Sequence, residues 1–505
     1  MSHVGVTSEG DSVGLASRQG LWLGVDLGTT SVKAVLLDAE GKVVATASKA
    51  TDTQVESSIG SSGNEQNSRK ILETVNDVVV PLLQQHAGPV EGIGLTGQMH
   101  GVVLWGARKE LVGDDQFPTL DMGRPCSNNY TWQDQRCSQE FLDTLPRPSS
   151  TRQSLSTGHG CATLYWLVKN VPGFFDKSSF TSCGCIMDFL TYCLCDLDEG
   201  VTSDQLAASM GYYHETSHSW DKELYEDPVF PSSLLPKIVP VGTKVGLTSP
   251  HLAGWPQDVP VYVCMGDVQC ATYALLKDNH DAAINISTSI QLGFVMSPED
   301  VASLTPSCPP SLAFFPYFQG QFLALCAGLN GGNALGYLAE CLGAWIVSLG
   351  FAQDISTPAL LLKLQELAES DSVDGEASAE DGTDVLQFSP AFFGERHDPS
   401  LRGHIGGLSG SNFASVGKIF RAASEGLLNH LHSMISAKFL VSQGISRLLV
   451  SGSVPVRNSI VRRRLEELYS GESLQVVMNP EGQEAVGSAV GAALVVMRTQ
   501  LPTSM

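Results

Sequence analysis

The first residues whose types and spacing suit chemistry form the stretch GVDLGTTSVK at 24–33. Asp26 lies near the end of a predicted strand, just before a Gly-Thr-Thr-Ser turn in which glycine lets the backbone approach a ligand. The hydroxyl residues of this turn are Thr29, Thr30 and Ser31. Their amides and hydroxyls are suited to surround phosphate oxygens, and Asp26 is placed to hold Mg²⁺ through water. Lys33 either offsets phosphate charge or is a solvated strand residue. The alternative for the whole stretch 24–33 is a structural turn that binds no nucleotide.

A second hydroxyl-rich turn follows a predicted strand in the other half of the chain. It consists of Ser287, Thr288 and Ser289. Two such turns, one in each half, are typical of a nucleotide clamped between two similar domains. No GxxxxGK[ST] motif occurs in the sequence, so neither turn is a Walker phosphate loop.

The third candidate is Asp267, which ends the apolar predicted strand 259–267 as Met-Gly-Asp. A carboxylate at this position is suited to accept the proton of an attacking hydroxyl group. Phosphoryl transfer needs little else from a protein beyond positioning and charge neutralisation. The alternative is an aspartate that caps the helix that follows it.

The elements around these residues predict an α/β protein with two similar halves. Three short strands at 21–28, 32–38 and 42–47 predict an antiparallel meander, followed by a helix that Ser68 opens. A comparable order restarts at about residue 259, and one long helix is predicted over 415–440. We therefore expect domains at 20–258 and 259–505.

Two segments depart from this order. Residues 1–19 predict a disordered tail, and the acidic, Ser- and Gly-rich stretch 367–385 predicts a disordered loop inserted in the second domain.

The composition excludes several classes of function. The chain has 505 residues, of which 53 are acidic and 30 basic, giving a net charge of −23. This balance argues against a nucleic-acid partner or an anionic membrane, since both select basic surfaces. The N-terminal residues contain no apolar signal region, and no long apolar run predicts a membrane span. We expect a cytoplasmic protein, either a monomer or a homodimer.

Four cysteines form a C-x-C…C-x-C cluster that raises the question of a zinc site. They are Cys183, Cys185, Cys193 and Cys195. Zinc sites more often use C-x₂₋₄-C spacing, and the intervening residues predict an apolar helix. The spacing therefore favours reduced thiols buried in the core.

With these residues in view, the chain resembles the FGGY carbohydrate kinases, a family with the actin-like ATPase fold. The resemblance runs from about residue 21 to about residue 498. It rests on motifs in the family's order: GVDLGTTSVK (24–33), GQMHG (97–101), Trp132-x-Asp134-x-Arg136, SDQLAAS (203–209), MGDVQCA (265–271), NISTSIQLG (285–293), LNGGNAL (329–335), FFGERHDPSLRG (392–403) and the SGS…RN turn (451–458).

The resemblance implies a role for each matching residue. It assigns Asp267 as the catalytic base, and Asp26 and Asp267 as the pair that flanks Mg²⁺. It gives the phosphates of ATP to the turns 29–31 and 287–289. The residues implied for adenosine are Gly331, Gly332, Gly452 and Asn458. Those implied for the sugar are Gln98, Met99, His100, Trp132, Asp134, Arg136 and Asp204. Such side chains suit a polyol, because the polar groups bind hydroxyls while indole packs on the carbon chain.

The surroundings of several motifs most resemble the family members that phosphorylate the ketose sedoheptulose. These stretches are TWQDQRC (131–137), TGHGCATLYWLVKN (157–170) and SDQLAASMGYY (203–213). The resemblance implies ATP-dependent formation of sedoheptulose 7-phosphate, which feeds the pentose phosphate pathway. The alternative within the family is a pentulose kinase that acts on D-xylulose. From another class, a catalytically silent actin-like module would bind nucleotide and a partner, but it has no use for the sugar motifs together with Asp267.

Overall fold

The structure is a computed structural model of the chain. It describes residues 20–86, 88–108, 117, 119–149, 155–175, 179–304, 308–370, 385–395, 397–398, 400–471, 473–478 and 487–501. The predicted tail 1–19 and most of the predicted acidic loop 367–385 lie outside these residues. The first four residues of that loop, 367–370, belong to the end of a helix instead.

Strands form much of both halves of the chain. In chain order they are β1 Leu21–Leu27, β2 Ser31–Leu37, β3 Val43–Ala50, β4 Gln54–Val55, β5 Glu65–Gln66, β6 Val90–Gly97, β7 Val103–Trp105, β8 Asn129–Tyr130, β9 Ser182–Gly184, β10 Val201–Ser203, β11 Tyr213–His214, β12 Ser219–Trp220, β13 Lys237–Val239, β14 Lys244–Leu247, β15 Pro260–Tyr262, β16 Met265–Gly266, β17 Asp281–Ile286, β18 Ile290–Met296, β19 Leu312–Pro316, β20 Phe322–Gly328, β21 Gln387–Ser389, β22 His404–Gly406, β23 Arg447–Ser451 and β24 Gln475–Met478.

Helices alternate with these strands. They are α1 Ser68–Gln85, α2 Gln139–Leu142, α3 Gly160–Asn170, α4 Ile186–Leu194, α5 Asp204–Met210, α6 Lys222–Glu226, α7 Asp267–Leu275, α8 Pro298–Ser303, α9 Gly332–Ser348, α10 Thr357–Ser370, α11 Val416–Met434, α12 Ala437–Ser442, α13 Ser453–Arg457, α14 Ser459–Tyr469 and α15 Gly487–Gln500. Within the described ranges, no helix combines the length and the apolar character needed to cross a membrane.

The two large sheets repeat one plan. The first has the order β14-β15-β6-β1-β2-β3, and the second has the order β19-β20-β18-β17-β23-β24. In the first sheet, β1 pairs antiparallel with β2 and parallel with β6. In the second sheet, β17 pairs antiparallel with β18 and parallel with β23. The predicted meander and its counterpart in the second half are therefore confirmed.

The boundary predicted at 258/259 stays a prediction, but sheet membership departs from it at two places. β15 and β16 follow residue 259 and yet pair parallel with β6 of the first sheet. The C-terminal helix α15 also packs on this sheet: a Cβ added to Gly24 of β1 would lie 2.0 Å from the carbonyl oxygen of Ala489. Small residues in α15, among them Ala489, Gly491 and Ala492, make this close approach possible.

Three apolar clusters form the core. One surrounds the first sheet and α1, and a second surrounds the second sheet and α11. A third contains Trp22 and Val35 of the first sheet, Leu323 of the second and Ala492 of α15. Because this cluster draws on both sheets, burial of apolar surface holds the two halves together.

Two local predictions are wrong in their detail. Asn67, not Ser68, caps α1, since its side chain accepts a hydrogen bond from the Lys70 amide at 3.1 Å. The helix predicted over 415–440 is two helices, α11 and α12, because Ile435 is extended and Ser436 caps the second one. Arg421 and Glu425, four residues apart on one face of α11, form an ion pair at 2.8 Å.

The cysteine cluster lies in and beside α4, which is the apolar helix that the sequence predicts. Cys183, Cys185 and Cys193 are fully buried free thiols, whereas Cys195 is half-buried. Burial raises the pKa of all four thiols, so they stay protonated at neutral pH. Their positions support core packing.

Candidate active site

The carboxyl ends of three parallel strands meet at one edge of the first sheet. Thr96 of β6 lies opposite Asp26 of β1 on one side and opposite Met265 of β16 on the other. The segments that follow these strands are the 28–31 turn, Gln98 and Asp267. Ligands of α/β proteins bind at such edges, and the sheet topology thus brings together residues that are far apart in sequence.

Asp26 and Asp267 form a pair of interacting carboxylates at this edge. Asp26 is buried, and its Oδ1 atom has no hydrogen-bond partner among the described residues. Asp267 is the first residue of α7 and is half-buried, and its Oδ1 accepts a hydrogen bond from the Val268 amide at 2.8 Å. A buried carboxylate oxygen without a donor is unfavourable unless a ligand or a cation completes it.

Burial raises the pKa of both acids, and the charge of Asp26 further raises that of Asp267. Burial raises the pKa of Asp26 to about 6, against the lowering effect of the positive charge on Lys33. Burial and the charge of Asp26 raise the pKa of Asp267 to about 7, against a hydrogen bond from the Val268 amide. A carboxyl group with a pKa near neutrality is suited to act as a general base.

Gln98 follows β6 directly and is buried. Its backbone amide donates to the Leu27 carbonyl at 3.0 Å, and its side-chain Nε2 donates to Gln66 Oε1 at 2.9 Å. Its Oε1 atom is buried without a donor among the described residues. This acceptor is suited to a substrate hydroxyl group.

Met99 and His100 connect this edge to α5 and α3. A Cβ added to Gly266 would lie 2.7 Å from Met99 Sδ, so the Met99 side chain packs directly before Asp267. His100 has a φ of 73°, and its Nδ1 lies 2.9 Å from the Ser209 carbonyl oxygen, which can only accept. The ring stacks on that of His159, with centroids 5.2 Å apart.

Trp132 places an exposed indole beside the first phosphate turn. Its Nε1 donates to Thr29 Oγ1 at 3.1 Å, and 39% of the residue is exposed. The structure therefore brings the predicted sugar-stacking residue into contact with a predicted phosphate residue. An exposed tryptophan face is suited to the carbon chain of a sugar.

Asp134 and Arg136 hydrogen-bond to each other, although the buried Nη1 atom of Arg136 has no partner among the described residues. Arg136 Nε donates to both Asp134 oxygens at 2.9 and 3.0 Å, and its Nη2 donates to Glu65 Oε1 at 2.8 Å. The Asn64 amide also donates to Asp134 at 2.9 Å. The three charged side chains are at most 3% exposed. The network links Glu65 of β5 to the segment 134–136, and the sugar contacts implied for Asp134 and Arg136 stay predictions.

Asp204 is the first residue of α5, where its Oδ1 accepts hydrogen bonds from the Gln205 and Val241 amides at 3.0 and 3.2 Å. Burial raises its pKa, although these amides lower it. The next residue, Gln205, accepts a hydrogen bond from the Gly266 amide at 3.1 Å and so holds the residue before Asp267. Sequence reasoning missed this role, although Gln205 lies within the quoted SDQLAAS motif.

In the second sheet, the 287–289 turn closes the β17–β18 hairpin against the start of α9. The Gly332 amide donates to the Ser287 carbonyl at 2.7 Å, and an added Cβ on Gly331 would lie 2.7 Å from the Thr288 oxygen. Gly452 has a φ of 104°, and an added Cβ would lie 2.2 Å from the Ile286 oxygen. The structure thus gathers the second phosphate turn and three predicted adenosine glycines at the ends of β17 and β23.

Asn458 uses its side chain in hydrogen bonds within the protein. Its Oδ1 caps α14 by accepting from the Ile460 and Val461 amides at 3.1 Å, and its Nδ2 donates to Ser424 Oγ at 3.3 Å. The residue is 2% exposed. This side chain therefore has a structural role at the start of α14, and its implied contact with adenosine stays a prediction.

Glu395 is a buried residue that sequence reasoning did not single out. Its carboxylate accepts from the Leu329 amide and the Asn330 side chain, both at 2.8 Å, and from His430 Nε2 at 3.0 Å. Burial raises its pKa, but these hydrogen bonds outweigh burial and lower it overall. Glu395 therefore fixes the segment that leads into Gly331 and Gly332. Glu395 lies within the motif FFGERHDPSLRG (392–403), so its place in that motif could have indicated a role.

Comparisons with known proteins find similar sequences over nearly the whole chain. Residues 21–274 match the model of the FGGY family of carbohydrate kinases, N-terminal domain. The chain is 36% identical to a sedoheptulokinase from Mus musculus over 495 residues, which are 96% of this chain and 99% of that protein. It is also 36% identical to a sedoheptulokinase from Homo sapiens over 490 residues, 95% of this chain and 98% of that protein.

Among solved structures, a xylulose kinase from Rhodospirillum rubrum is similar, with a TM-score of 0.74 and 22% sequence identity. The match covers 96% of this chain and 91% of that chain. At this level of identity the likeness concerns the fold alone. It confirms the predicted α/β fold of two actin-like halves.

Proposed function

Because the chain belongs to the FGGY family of carbohydrate kinases, we propose that it transfers the γ-phosphate of ATP to sedoheptulose. The products are ADP and sedoheptulose 7-phosphate. The class, an ATP-dependent sugar kinase, follows from the family, and the choice of sugar is supported by the names of the two mammalian relatives. The monomeric or dimeric state and the cytoplasmic location stay predictions of the sequence.

The observation that carries the chemistry is the pairing of Asp267 with Asp26 at one edge of the sheet. We infer that Asp267 accepts the proton of the terminal hydroxyl as its oxygen attacks the γ-phosphorus. A new oxygen–phosphorus bond forms, and the bond from the γ-phosphorus to the bridging oxygen of ADP breaks. The raised pKa of Asp267 matches this base to a reaction near neutral pH.

The donor set at this edge fits Mg²⁺. Asp26 offers a buried oxygen without a hydrogen-bond partner, and the Asp267 carboxylate interacts electrostatically with it. Magnesium prefers oxygen ligands and uses few carboxylates because it retains several waters. When bound, it neutralises the charge of the transferring phosphate. We therefore assign Asp26 and Asp267 as the residues that would hold it.

The sugar is proposed to lie between the Trp132 indole and the buried acceptor of Gln98. His100 follows Gln98 and Met99 in the chain and is held by Ser209 of α5. The phosphates are proposed to lie on the two hydroxyl turns, and the adenosine near Gly331, Gly332 and Gly452. We propose that Asp134 and Arg136 support the sugar site by holding the backbone around them. Asn458 supports the nucleotide site by capping α14.

The first test is ADP release from MgATP with sedoheptulose, D-xylulose, D-ribulose and glycerol offered in parallel. We expect kcat/KM for sedoheptulose to exceed the others by at least about tenfold, or roughly 1.4 kcal/mol. A preference for D-xylulose would leave the mechanism in place and refute the sugar assignment.

The second test is Asp267→Asn, which keeps the shape of the side chain but removes the base. We expect kcat to fall by about 10²–10⁴, with nucleotide affinity nearly unchanged. Asp300→Asn, at an exposed acid in the first turn of α8, is the matched control and should retain activity. Near-normal turnover of Asp267→Asn would refute the assignment of the base.

A further inference from the structure

A short row of hydrogen bonds joins the proposed sugar site to the first phosphate turn through a residue that has no assigned role, Gln66. We propose that Gln66 is a positioning residue that couples ketose binding to the binding of MgATP. The inference rests on the proposed function, since it takes Gln98 as a sugar contact and Thr29 as a phosphate contact. Gln66 itself contacts neither substrate.

Gln66 is well placed for this role because its side chain is buried between the two sites. It lies in β5, whose partners β4 and β8 hold its backbone on both sides. Its Nε2 donates to the Thr29 carbonyl at 2.7 Å, and its Oε1 accepts from Gln98 Nε2 at 2.9 Å. Both glutamines are at most 5% exposed, so water does not compete for these bonds.

The direction of the row is fixed by chemistry. A backbone carbonyl can only accept, so Gln66 must present its amide nitrogen to Thr29 and its oxygen to Gln98. Gln98 must then donate through Nε2, which leaves its Oε1 as the buried acceptor without a partner. A sugar hydroxyl that donates to this oxygen would continue the row in the same direction.

A second contact reaches the same turn residue from the sugar site. The Trp132 indole N–H, which can only donate, contacts Thr29 Oγ1 at 3.1 Å. The hydroxyl proton of Thr29 is therefore left to donate to a phosphate oxygen. Both the carbonyl and the side chain of Thr29 are thus held by residues that extend from the proposed sugar site.

Occupation of the sugar site should therefore tighten the phosphate turn. Hydrogen bonds in a row polarise one another, so a donor at Gln98 Oε1 strengthens the bonds at Gln66 and Thr29. A ketose packed on Trp132 also restrains the indole that holds the Thr29 hydroxyl. By reciprocity, nucleotide binding should raise ketose affinity by the same factor.

The experiment measures the dissociation constant of a non-hydrolysable MgATP analogue by calorimetry, with and without saturating sedoheptulose. For the unchanged protein we expect sedoheptulose to tighten nucleotide binding by at least about fivefold. Gln66→Met removes both hydrogen bonds at similar volume and should reduce this factor to less than about twofold. Gln66→Glu keeps an acceptor for Gln98 but has no donor for Thr29, so it should lose the coupling as well.

Thr51→Val is the matched control. Thr51 Oγ1 donates to the same Thr29 carbonyl at 3.1 Å, but no hydrogen bond links this side chain to Gln98 in the part of the chain that is described. We expect Thr51→Val to keep the coupling factor of the unchanged protein. Equal loss of coupling in Thr51→Val and Gln66→Met would overturn the proposal, because any weakening of the turn would then suffice.

Turnover and coupling are measured separately, so failure of the proposed function can be distinguished from failure of the inference about Gln66. Turnover of sedoheptulose is measured on the same samples, and its absence in the unchanged protein refutes the substrate assignment. The coupling is then measured with whichever of the four tested compounds binds. An unchanged protein without coupling, or a Gln66→Met variant with full coupling, overturns the role of Gln66 whatever the turnover shows.

Discussion

Replacement of Arg136 by methionine tests whether this residue supports the site or binds the sugar. The guanidinium is fully buried and makes hydrogen bonds of 2.8–3.0 Å to the carboxylates of Asp134 and Glu65. It also lies 4.8 Å from the Tyr130 ring centroid and 5.3 Å from that of Trp166. Methionine fills similar space but leaves two buried carboxylates without their cation.

The expected loss of stability is large. Breaking a buried ion pair by removing one partner costs about 3–5 kcal/mol, and loss of the contacts with the aromatic rings adds about 0.5–2 kcal/mol. Protonation of one carboxyl group would relieve part of this cost. We therefore expect the free energy of unfolding to fall by roughly 4 kcal/mol, against a total of about 5–15 kcal/mol for a typical protein.

The assay is urea unfolding followed by tryptophan fluorescence. The matched control is Arg464→Met, which removes a partly exposed arginine bonded to Glu467 and Asn429 and should cost less than about 1 kcal/mol. Asp134→Asn is a milder variant that keeps an acceptor for Arg136, and KM for the ketose is measured on it. We expect that KM to change little, because the carboxylate is occupied by Arg136 and the Asn64 amide.

The reasoning is refuted if Arg136→Met unfolds within about 1 kcal/mol of the unchanged protein while KM for the ketose rises more than about tenfold. That result would make the guanidinium a sugar ligand.

The pH dependence of the free energy of unfolding gives a further check on this network. Burial raises the pKa of Glu65, but hydrogen bonds from Ser57, Asn128 and Arg136 lower it overall. Its stabilising contribution is therefore present above the ordinary value of 4.5 and is lost as the pH falls below it.

Two further predictions concern the site. The value of kcat/KM for MgATP at saturating ketose should fall, by up to tenfold per pH unit, as the pH drops below about 7. This ratio reports the enzyme before Mg²⁺ and nucleotide bind, in which Asp267 must lose its proton to act as a base. A flat profile between pH 5 and 8 would contradict this base. Asn458→Ala should lower the free energy of unfolding by about 1 kcal/mol through loss of the α14 cap and leave KM for ATP within about twofold, as measured by urea unfolding and steady-state kinetics. A rise in that KM with unchanged stability would instead support direct nucleotide contact.

Much of the local structure was predictable because it depends on near neighbours in sequence. Alternating apolar residues and tight turns give the meander β1–β3, whose edges lie within one or two residues of the prediction in most cases. Helix boundaries were harder to predict. Asn67 and Ser68 are both good capping residues, and the choice depended on which side chain reached the Lys70 amide.

The roles of charged residues could not be read from their spacing. Asp134 and Arg136 are two residues apart and look suited to line a site, yet Glu65 completes a buried network with them from a distant part of the chain. Asn458 belongs to a motif implied for adenosine, yet both ends of its amide are used within the protein. In each case near neighbours provide some of the partners, but a residue remote in sequence completes the contacts: Glu65 for Arg136 and Ser424 for Asn458.

The sequence by itself therefore determined the strands, the two hydroxyl turns and the family. It also showed that Asp26 and Asp267 each lie at or near the end of a strand. These features arise from local backbone preferences and from motifs that persist as short stretches. The tertiary structure alone decided that Asp26 and Asp267 interact, that Gln66 links Gln98 to Thr29, and that Glu395 holds the segment before Gly331. The physical reason is that burial and hydrogen bonding are set by groups brought together only when the sheets form, and these contacts fix both the charge and the direction of each side chain.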